Sequence, residues 1–162
     1  MDYKRATYLL IFLIFTKIAF AFDAASTHPK LTEESVQFYN FYSERKINDQ
    51  ELEWLRQGSR EEDFSPRWAN HFYDPIHNIA LNKKYFRGYI PEAGWSFIFG
   101  FALPKDPIKS IDWALNQEYQ FLYYKLNRTW QKALVSYFRN DYEIAFKSLG
   151  HILHLLQDLG VP

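Results

Sequence analysis

The chain has 162 residues, enough for one domain with a sizeable core, and its 19 basic and 19 acidic side chains cancel to a formal net charge of zero. That balance gives no indication of a surface for polyanions. The lack of cysteine in the sequence excludes disulfides, thiolate zinc sites, a cysteine nucleophile and a lipoprotein anchor.

The first segment of the chain has the pattern of a secretory signal. A basic start, "MDYKR", is followed by the apolar run "YLLIFLIF" and by "AFA", a small-x-small cleavage site. A membrane-spanning helix needs about 20 apolar residues, and Lys17 interrupts this run early. The sequence therefore predicts a cleaved signal at residues 1–21, a mature domain at 22–162 and a secreted or periplasmic protein. An uncleaved anchor is the alternative.

Two helices are predicted next. Thr32 is a candidate N-cap for a helix that runs to about Arg45, with two glutamates in its first turn that favour the helix dipole. A shorter helix follows, with Asn48 as its N-cap and Glu51 in the capping-box position. Gly58 is the expected C-terminal stop of this second helix.

The remainder is predicted to be irregular first and then helical. Prolines and glycines break every period between residues 59 and 109. One helix is predicted at 110–125, another in "NRTWQKALVSYFRN", and a last one at about Tyr142–Leu159 that is buried on most sides. Because no segment shows a convincing alternating strand pattern, the predicted fold class is an all-α helical bundle.

The last helix carries polar residues that need an explanation. His151, His154 and Asp158 are spaced i, i+3 and i+7, which places them on one stripe of an otherwise apolar helix. Buried charge is costly unless it is paired or bound to a metal. The spacing alone leaves two interpretations open: a His–Asp pair that satisfies itself, or metal ligands.

Two other stretches contain residues of the same chemistry. His28 lies in "STHPKLT", just before the first predicted long helix, while Asp63 and His71 lie in "GSREEDFSPRWANHFYDP". Imidazole and carboxylate without thiolate suit zinc, or another divalent transition metal, in a hydrolytic site. A surface turn for His28 and an exposed charge for Asp63 are the ordinary alternatives. The candidate metal ligands are His28, Asp63, His71, His154 and Asp158.

Taken together, these motifs carry a family resemblance. They are the early histidine, the "ED" loop followed by "NHFYDP", the "WA" pair at Trp113-Ala114, and the "LGHILHLLQD" helix. The chain resembles the zinc-dependent phospholipase C and single-strand-specific nuclease superfamily, an all-α fold built around a three-zinc cluster. The H-x-x-x-D helix, preceded by "LGH" and followed by a proline, is the most specific part.

The resemblance implies a role for each ligand position. It assigns the first metal to four residues: Asp63, His71, His154 and Asp158. A third metal would be bound by His28, by the shared carboxylate of Asp158 and by backbone groups of the mature N-terminal residue, here Phe22. Asp63 would also act as the catalytic general base that orients the attacking water.

Two further histidines match no ligand position of the family. His151 is predicted to belong to the core, or to orient a ligand through a hydrogen bond. His77 is predicted to be exposed in its loop. Neither is expected to bind the metal.

The function implied by the resemblance is that of a secreted, phospholipase C-like phosphodiesterase that uses a metal-bound hydroxide and three Zn²⁺ ions. Its expected partners are a phospholipid or another phosphodiester and a transient membrane contact, with no stable nucleic-acid complex. A nuclease of the same superfamily, a non-catalytic metal-binding domain and an exported bundle with structural histidines remain open. The family also has ligands for a second metal beyond the position of Pro162. We therefore expect a C-terminally incomplete sequence whose 162 residues are inactive alone, with a degenerate paralogue without activity as the alternative.

Overall fold

The computed structural model describes residues 24–64, 67–80, 107–124 and 127–159. These ranges confirm the all-α class, because they contain helices and turns and no strand. The helices are α1 (Ala24–Tyr42), α2 (Asp49–Glu62), a 3-10 turn (Arg67–Asn70), α3 (Ser110–Leu115), α4 (Gln117–Tyr124), α5 (Trp130–Phe138) and α6 (Tyr142–Asp158). Within these ranges, no helix has the length and apolarity needed to cross a membrane. The predicted signal peptide lies outside the described residues.

Helix α1 begins earlier than the sequence predicted. It starts at Ala24 and includes Pro29, which removes one hydrogen bond near the helix start. The predicted N-cap Thr32 is instead fully buried inside the helix, where its hydroxyl accepts a hydrogen bond from Gln157 Nε2 at 3.1 Å. This packing against α6 outweighs the local capping signal. As a result, His28 lies on the helix itself rather than in a turn before it.

The start of α2 agrees with the predicted capping box. Asn48 Oδ1 accepts a hydrogen bond from the backbone N–H of Glu51 at 3.0 Å, and Glu51 Oε2 accepts one from the backbone N–H of Asn48 at 3.0 Å. The predicted stop at Gly58 is wrong, because the helix continues to Glu62. The irregular region, which was predicted to begin at residue 59, therefore begins after Glu62.

The two glycines between α2 and α6 explain why Gly58 does not end its helix. A Cβ atom on Gly58 would lie 2.0 Å from the carbonyl oxygen of Lys147, and one on Gly150 would lie 2.2 Å from that of Leu55. Glycine at both positions therefore lets the two backbones approach directly. The approach brings the C-terminal turn of α2 against the part of α6 that carries the predicted ligands.

The packed centre of the described fold is formed by α1, α2 and α6. Val36, Leu55 and Phe146 contribute one buried side chain from each of these helices. Helix α5 packs against α6. The end of α6 is less buried than predicted, since Leu156 and Leu159 are more than half exposed.

The helix predicted at 110–125 is two helices. Its backbone is extended at Asn116, whose side-chain oxygen accepts a hydrogen bond from the backbone N–H of Glu118 at 2.9 Å and so starts α4. Farther along α4, the side-chain amide of Gln120 donates to the carbonyl oxygen of Trp113 at 2.7 Å. These polar contacts hold the two short helices across the break.

Candidate metal centre

All five predicted ligands lie in one cluster. His28 comes from α1, Asp63 from the end of α2, His71 from the segment after the 3-10 turn, and His154 and Asp158 from α6. The ring of His154 lies close to both other imidazoles, with its centroid 3.8 Å from that of His28 and 4.6 Å from that of His71. The predicted convergence of distant parts of the chain is confirmed.

Asp158 connects the three histidines. Its Oδ2 atom lies 2.8 Å from Nδ1 of His71 and 3.3 Å from Nε2 of His154, one helical turn away. Its Oδ1 atom lies 3.3 Å from Nε2 of His28. The two oxygens of one carboxylate therefore face different histidines, which is the arrangement of a carboxylate that can bridge two cation positions.

Asp63 supplies the second carboxylate. It caps the C-terminal end of α2, and its Oδ1 atom lies 3.5 Å from Nε2 of His154 and 3.9 Å from Nδ1 of His71. Two ligands of one tetrahedral zinc ion, each at about 2.0–2.1 Å, lie about 3.3 Å apart. The distances from His154 Nε2 to the carboxylates of Asp63 and Asp158 match this spacing better than the usual hydrogen-bond length of about 2.9 Å.

The second ring nitrogen of each histidine has a partner that only accepts hydrogen bonds. The acceptors are Ser59 O for His154 at 2.7 Å, Glu62 O for His71 at 3.2 Å, and Gln157 Oε1 for His28 at 3.0 Å. A carbonyl or amide oxygen requires the nitrogen that faces it to carry the proton. In the neutral rings, the nitrogens that face the two aspartates therefore keep a free lone pair, as metal-ligating histidines do.

Two buried atoms of the cluster lack a hydrogen-bond partner within the described part of the chain. These atoms are Nε2 of His154 and Oδ2 of Asp63. Such atoms are costly unless something satisfies them, and a divalent cation does so for lone pairs that converge. Two groups of residues each have ligand atoms that all lie within 4.8 Å of one another. One group is His28, Asp63 and His154, and the other is His71, His154 and Asp158. These residues could hold a metal ion.

The electrostatics of the cluster favour charged side chains. Burial opposes the charged form of His154, but the neighbouring carboxylates of Asp158 and Asp63 outweigh it and raise its pKa to about 9. Burial would raise the pKa of Asp158, but its contacts with His154 and His71 dominate and lower it. A cation that binds here must therefore displace protons from the imidazoles.

One charged residue beside the cluster was missed by the sequence analysis. The side chain of Glu62 is fully buried, and its two oxygens accept hydrogen bonds from Arg67, Trp113 and His151. Burial would raise the pKa of Glu62, but the charge of Arg67 and the hydrogen bond from His151 hold it well below its usual range. Glu62 lies seven residues, or two helical turns, after Leu55 and therefore on the same buried face of α2. This spacing predicts burial of Glu62 only if α2 continues past Gly58.

The remaining predictions about this region have mixed outcomes. His151 is buried, but its Nδ1 atom lies 2.5 Å from Glu62 Oε2, so it supports Glu62 rather than a predicted ligand. The indole of Trp113 in the "WA" pair donates to Glu62 Oε1 at 2.7 Å. His77 is exposed as predicted and pairs with Asp74. Residue 22, the predicted backbone ligand, lies outside the described residues.

Fold and site together define an all-α protein with a buried histidine and aspartate cluster that could hold a metal ion. Comparisons with protein-family models, with curated proteins and with solved structures gave no match.

Proposed function

We propose that the chain carries the metal centre of a zinc-dependent phosphodiesterase of the phospholipase C and single-strand-specific nuclease type. The observation that supports this proposal is the convergence of three imidazoles and two carboxylates from four segments of an all-α fold. A thiolate-free nitrogen and oxygen ligand set is typical of hydrolytic zinc sites. The ligand positions are those that the motif resemblance implies.

The arrangement divides the ligands between two positions. His71, His154 and one oxygen of Asp158 face one position, and Asp63 lies beside them. His28 faces the other oxygen of Asp158. A zinc ion held by these residues would supply Lewis acidity and would lower the pKa of a coordinated water towards neutrality.

The residues of the chain have separate tasks in this proposal. Ser59 and Gln157 hold the imidazoles of His154 and His28 in the orientation that turns a lone pair towards the cluster. Asp63 has one oxygen directed at His154 and a second without a hydrogen-bond partner among the described residues. That second oxygen is available to accept a proton from an attacking water.

A phospholipid or another small phosphodiester is the substrate class we favour. The formal net charge of zero provides no electrostatic footprint for a long polyanion. The signal-like N-terminus supports an exported enzyme that meets such substrates outside the cell. A nuclease of the same type is the alternative.

The proposal is tested by metal content, metal affinity and turnover. Zinc should bind the purified protein, His154→Ala should weaken binding strongly, and the matched control His77→Ala, an exposed histidine outside the cluster, should bind as the wild type does. A chain that also carries the second-metal ligands implied by the resemblance should then hydrolyse a chromogenic choline phosphodiester and phosphatidylcholine vesicles faster than single-stranded DNA. A wild-type protein that binds no zinc would refute the metal centre. A zinc protein that cleaves only DNA would favour the nuclease.

A further inference from the structure

We propose that Glu62 is a positioning residue, which holds the segments that carry the candidate ligands in register without touching the metal itself. The inference rests on the proposed metal centre. It concerns a side chain that the motif resemblance assigns no role.

The Glu62 carboxylate joins three other segments of the fold. Oε2 accepts a hydrogen bond from Nε of Arg67 in the 3-10 turn at 2.7 Å and one from Nδ1 of His151 on α6 at 2.5 Å. Oε1 accepts one from the indole of Trp113 on α3 at 2.7 Å. The guanidinium of Arg67 also lies over the Trp113 ring, 4.9 Å from its centroid. One buried side chain thus connects α2, the 3-10 turn, α3 and α6.

Each connection lies close to a candidate ligand. Glu62 directly precedes Asp63, and its own backbone oxygen accepts the hydrogen bond from Nε2 of His71 at 3.2 Å. Arg67 lies four residues before His71. On α6, His151 lies one turn before His154. The Oε1 atom of Glu62 lies 3.7 Å from Nε2 of His71. The carboxylate therefore sets the relative positions of three ligand-bearing segments.

Stability alone is a poor explanation for this arrangement. A buried ion pair must offset the desolvation of both charges, and apolar residues of similar volume often stabilise a protein equally well or better. Residues outside the ligand set that orient the metal ligands, by contrast, commonly change metal affinity by about 10- to 100-fold when they are replaced. The position of Glu62 between the ligand segments points to the second effect.

The test uses Co²⁺ as a spectroscopic probe in Glu62→Gln. The amide keeps the volume of the side chain but replaces one acceptor oxygen with a donor group, so at least one of the three donors around it loses its partner. We expect the Co²⁺ dissociation constant to rise by about 10- to 100-fold and the visible absorption bands of bound Co²⁺ to change in position or intensity.

Glu51→Gln is the matched control. Glu51 is another buried glutamate of α2, paired with Arg45 at 2.6 Å and remote from the cluster. Its replacement should lower the melting temperature while leaving the Co²⁺ affinity and spectrum unchanged. This control separates a general loss of stability from a change in the geometry of the ligands.

The outcomes distinguish the two proposals. A folded Glu62→Gln protein with the wild-type Co²⁺ affinity and spectrum would overturn the positioning role and leave the metal centre intact. Failure of the wild-type protein to bind Co²⁺ or Zn²⁺ would overturn the metal centre and the positioning role with it. If circular dichroism shows that Glu62→Gln does not fold, Trp113→Phe decides, because it removes the donor to Oε1 and leaves Glu62 with the donors to Oε2 in place. A folded Trp113→Phe protein should bind Co²⁺ more weakly than the wild type, and unchanged affinity would refute the inference.

Discussion

Nδ1 of His71 lies 2.8 Å from Oδ2 of Asp158, although one residue follows the 3-10 turn and the other ends α6. Two features of the packing accompany this contact. The glycine pair at Gly58 and Gly150 brings α2 against α6. The hydrogen bond from His71 Nε2 to Glu62 O then fixes the ring relative to the end of α2. The candidate metal centre is therefore a product of helix packing.

Zinc should stabilise the wild-type protein and should not stabilise His154→Ala. A ligand that binds only the native state adds about 2.7 kcal/mol when its free concentration is 100 times the dissociation constant. Thermal unfolding with excess zinc and with excess chelator measures this difference. His77→Ala is the control and should keep the full zinc effect. Equal zinc effects in the wild type and His154→Ala would contradict the predicted ligand set.

Gly58→Ala should destabilise the fold strongly. Its new methyl group would lie 2.0 Å from the carbonyl oxygen of Lys147, and backbone cannot move aside as a flexible side chain can. Overpacking of this kind costs about 1–3 kcal/mol and occasionally more. Urea unfolding should show a lower midpoint, with Glu53→Ala on the exposed side of α2 as the control. A Gly58→Ala protein as stable as the wild type would mean that α2 and α6 do not cross so closely.

Asn48→Ala should lower the free energy of unfolding by about 1 kcal/mol, because it removes the acceptor for the backbone N–H of Glu51. Asn48→Asp keeps an acceptor at the same place and should restore most of the loss. Chemical unfolding of the three proteins gives the comparison. A loss in Asn48→Asp as large as that in Asn48→Ala would argue against the capping box.

The metal-free protein should lose stability as the pH rises. The pKa of His154 is raised from 6.5 to about 9, so its pairing with the two aspartates contributes fully below pH 6.5 and is lost as the pH passes about 9. The pKa of Asp158 is lowered from 3.8, so its contribution is present above pH 3.8 and is lost as the pH falls below that value. These two groups together favour the range between 3.8 and 6.5.

Zinc should reverse this trend above pH 6.5, because it binds only deprotonated imidazole. The increase in melting temperature on adding zinc should grow with pH, and calorimetry in two buffers should detect released protons. His154→Ala provides the control for both measurements. A zinc effect that is independent of pH would indicate that His154 is not a ligand.

Local signals in the sequence predicted the fold class and much of the candidate site. Two of these signals come from residues close together in the sequence: the capping box at Asn48 and Glu51, and the apolar period of α6. They can therefore be read without knowledge of the tertiary structure. The i, i+4 spacing of His154 and Asp158 placed their polar atoms on one side of a helix in the same way. The convergence of His28 with them, by contrast, was expected only from the family resemblance.

Tertiary packing decided what neighbouring residues could not. Gly58 is by itself a plausible helix stop, and only the approach of Gly150 from α6 makes it a contact position inside a longer helix. Thr32 is a plausible N-cap until Gln157 bonds to its hydroxyl in the core. The role proposed for Glu62 depends on the continuation of α2 past Gly58 and on three donors around its carboxylate, two of which, Trp113 and His151, come from distant segments. The free energy that settles these choices arises between segments, and no short stretch of sequence contains it.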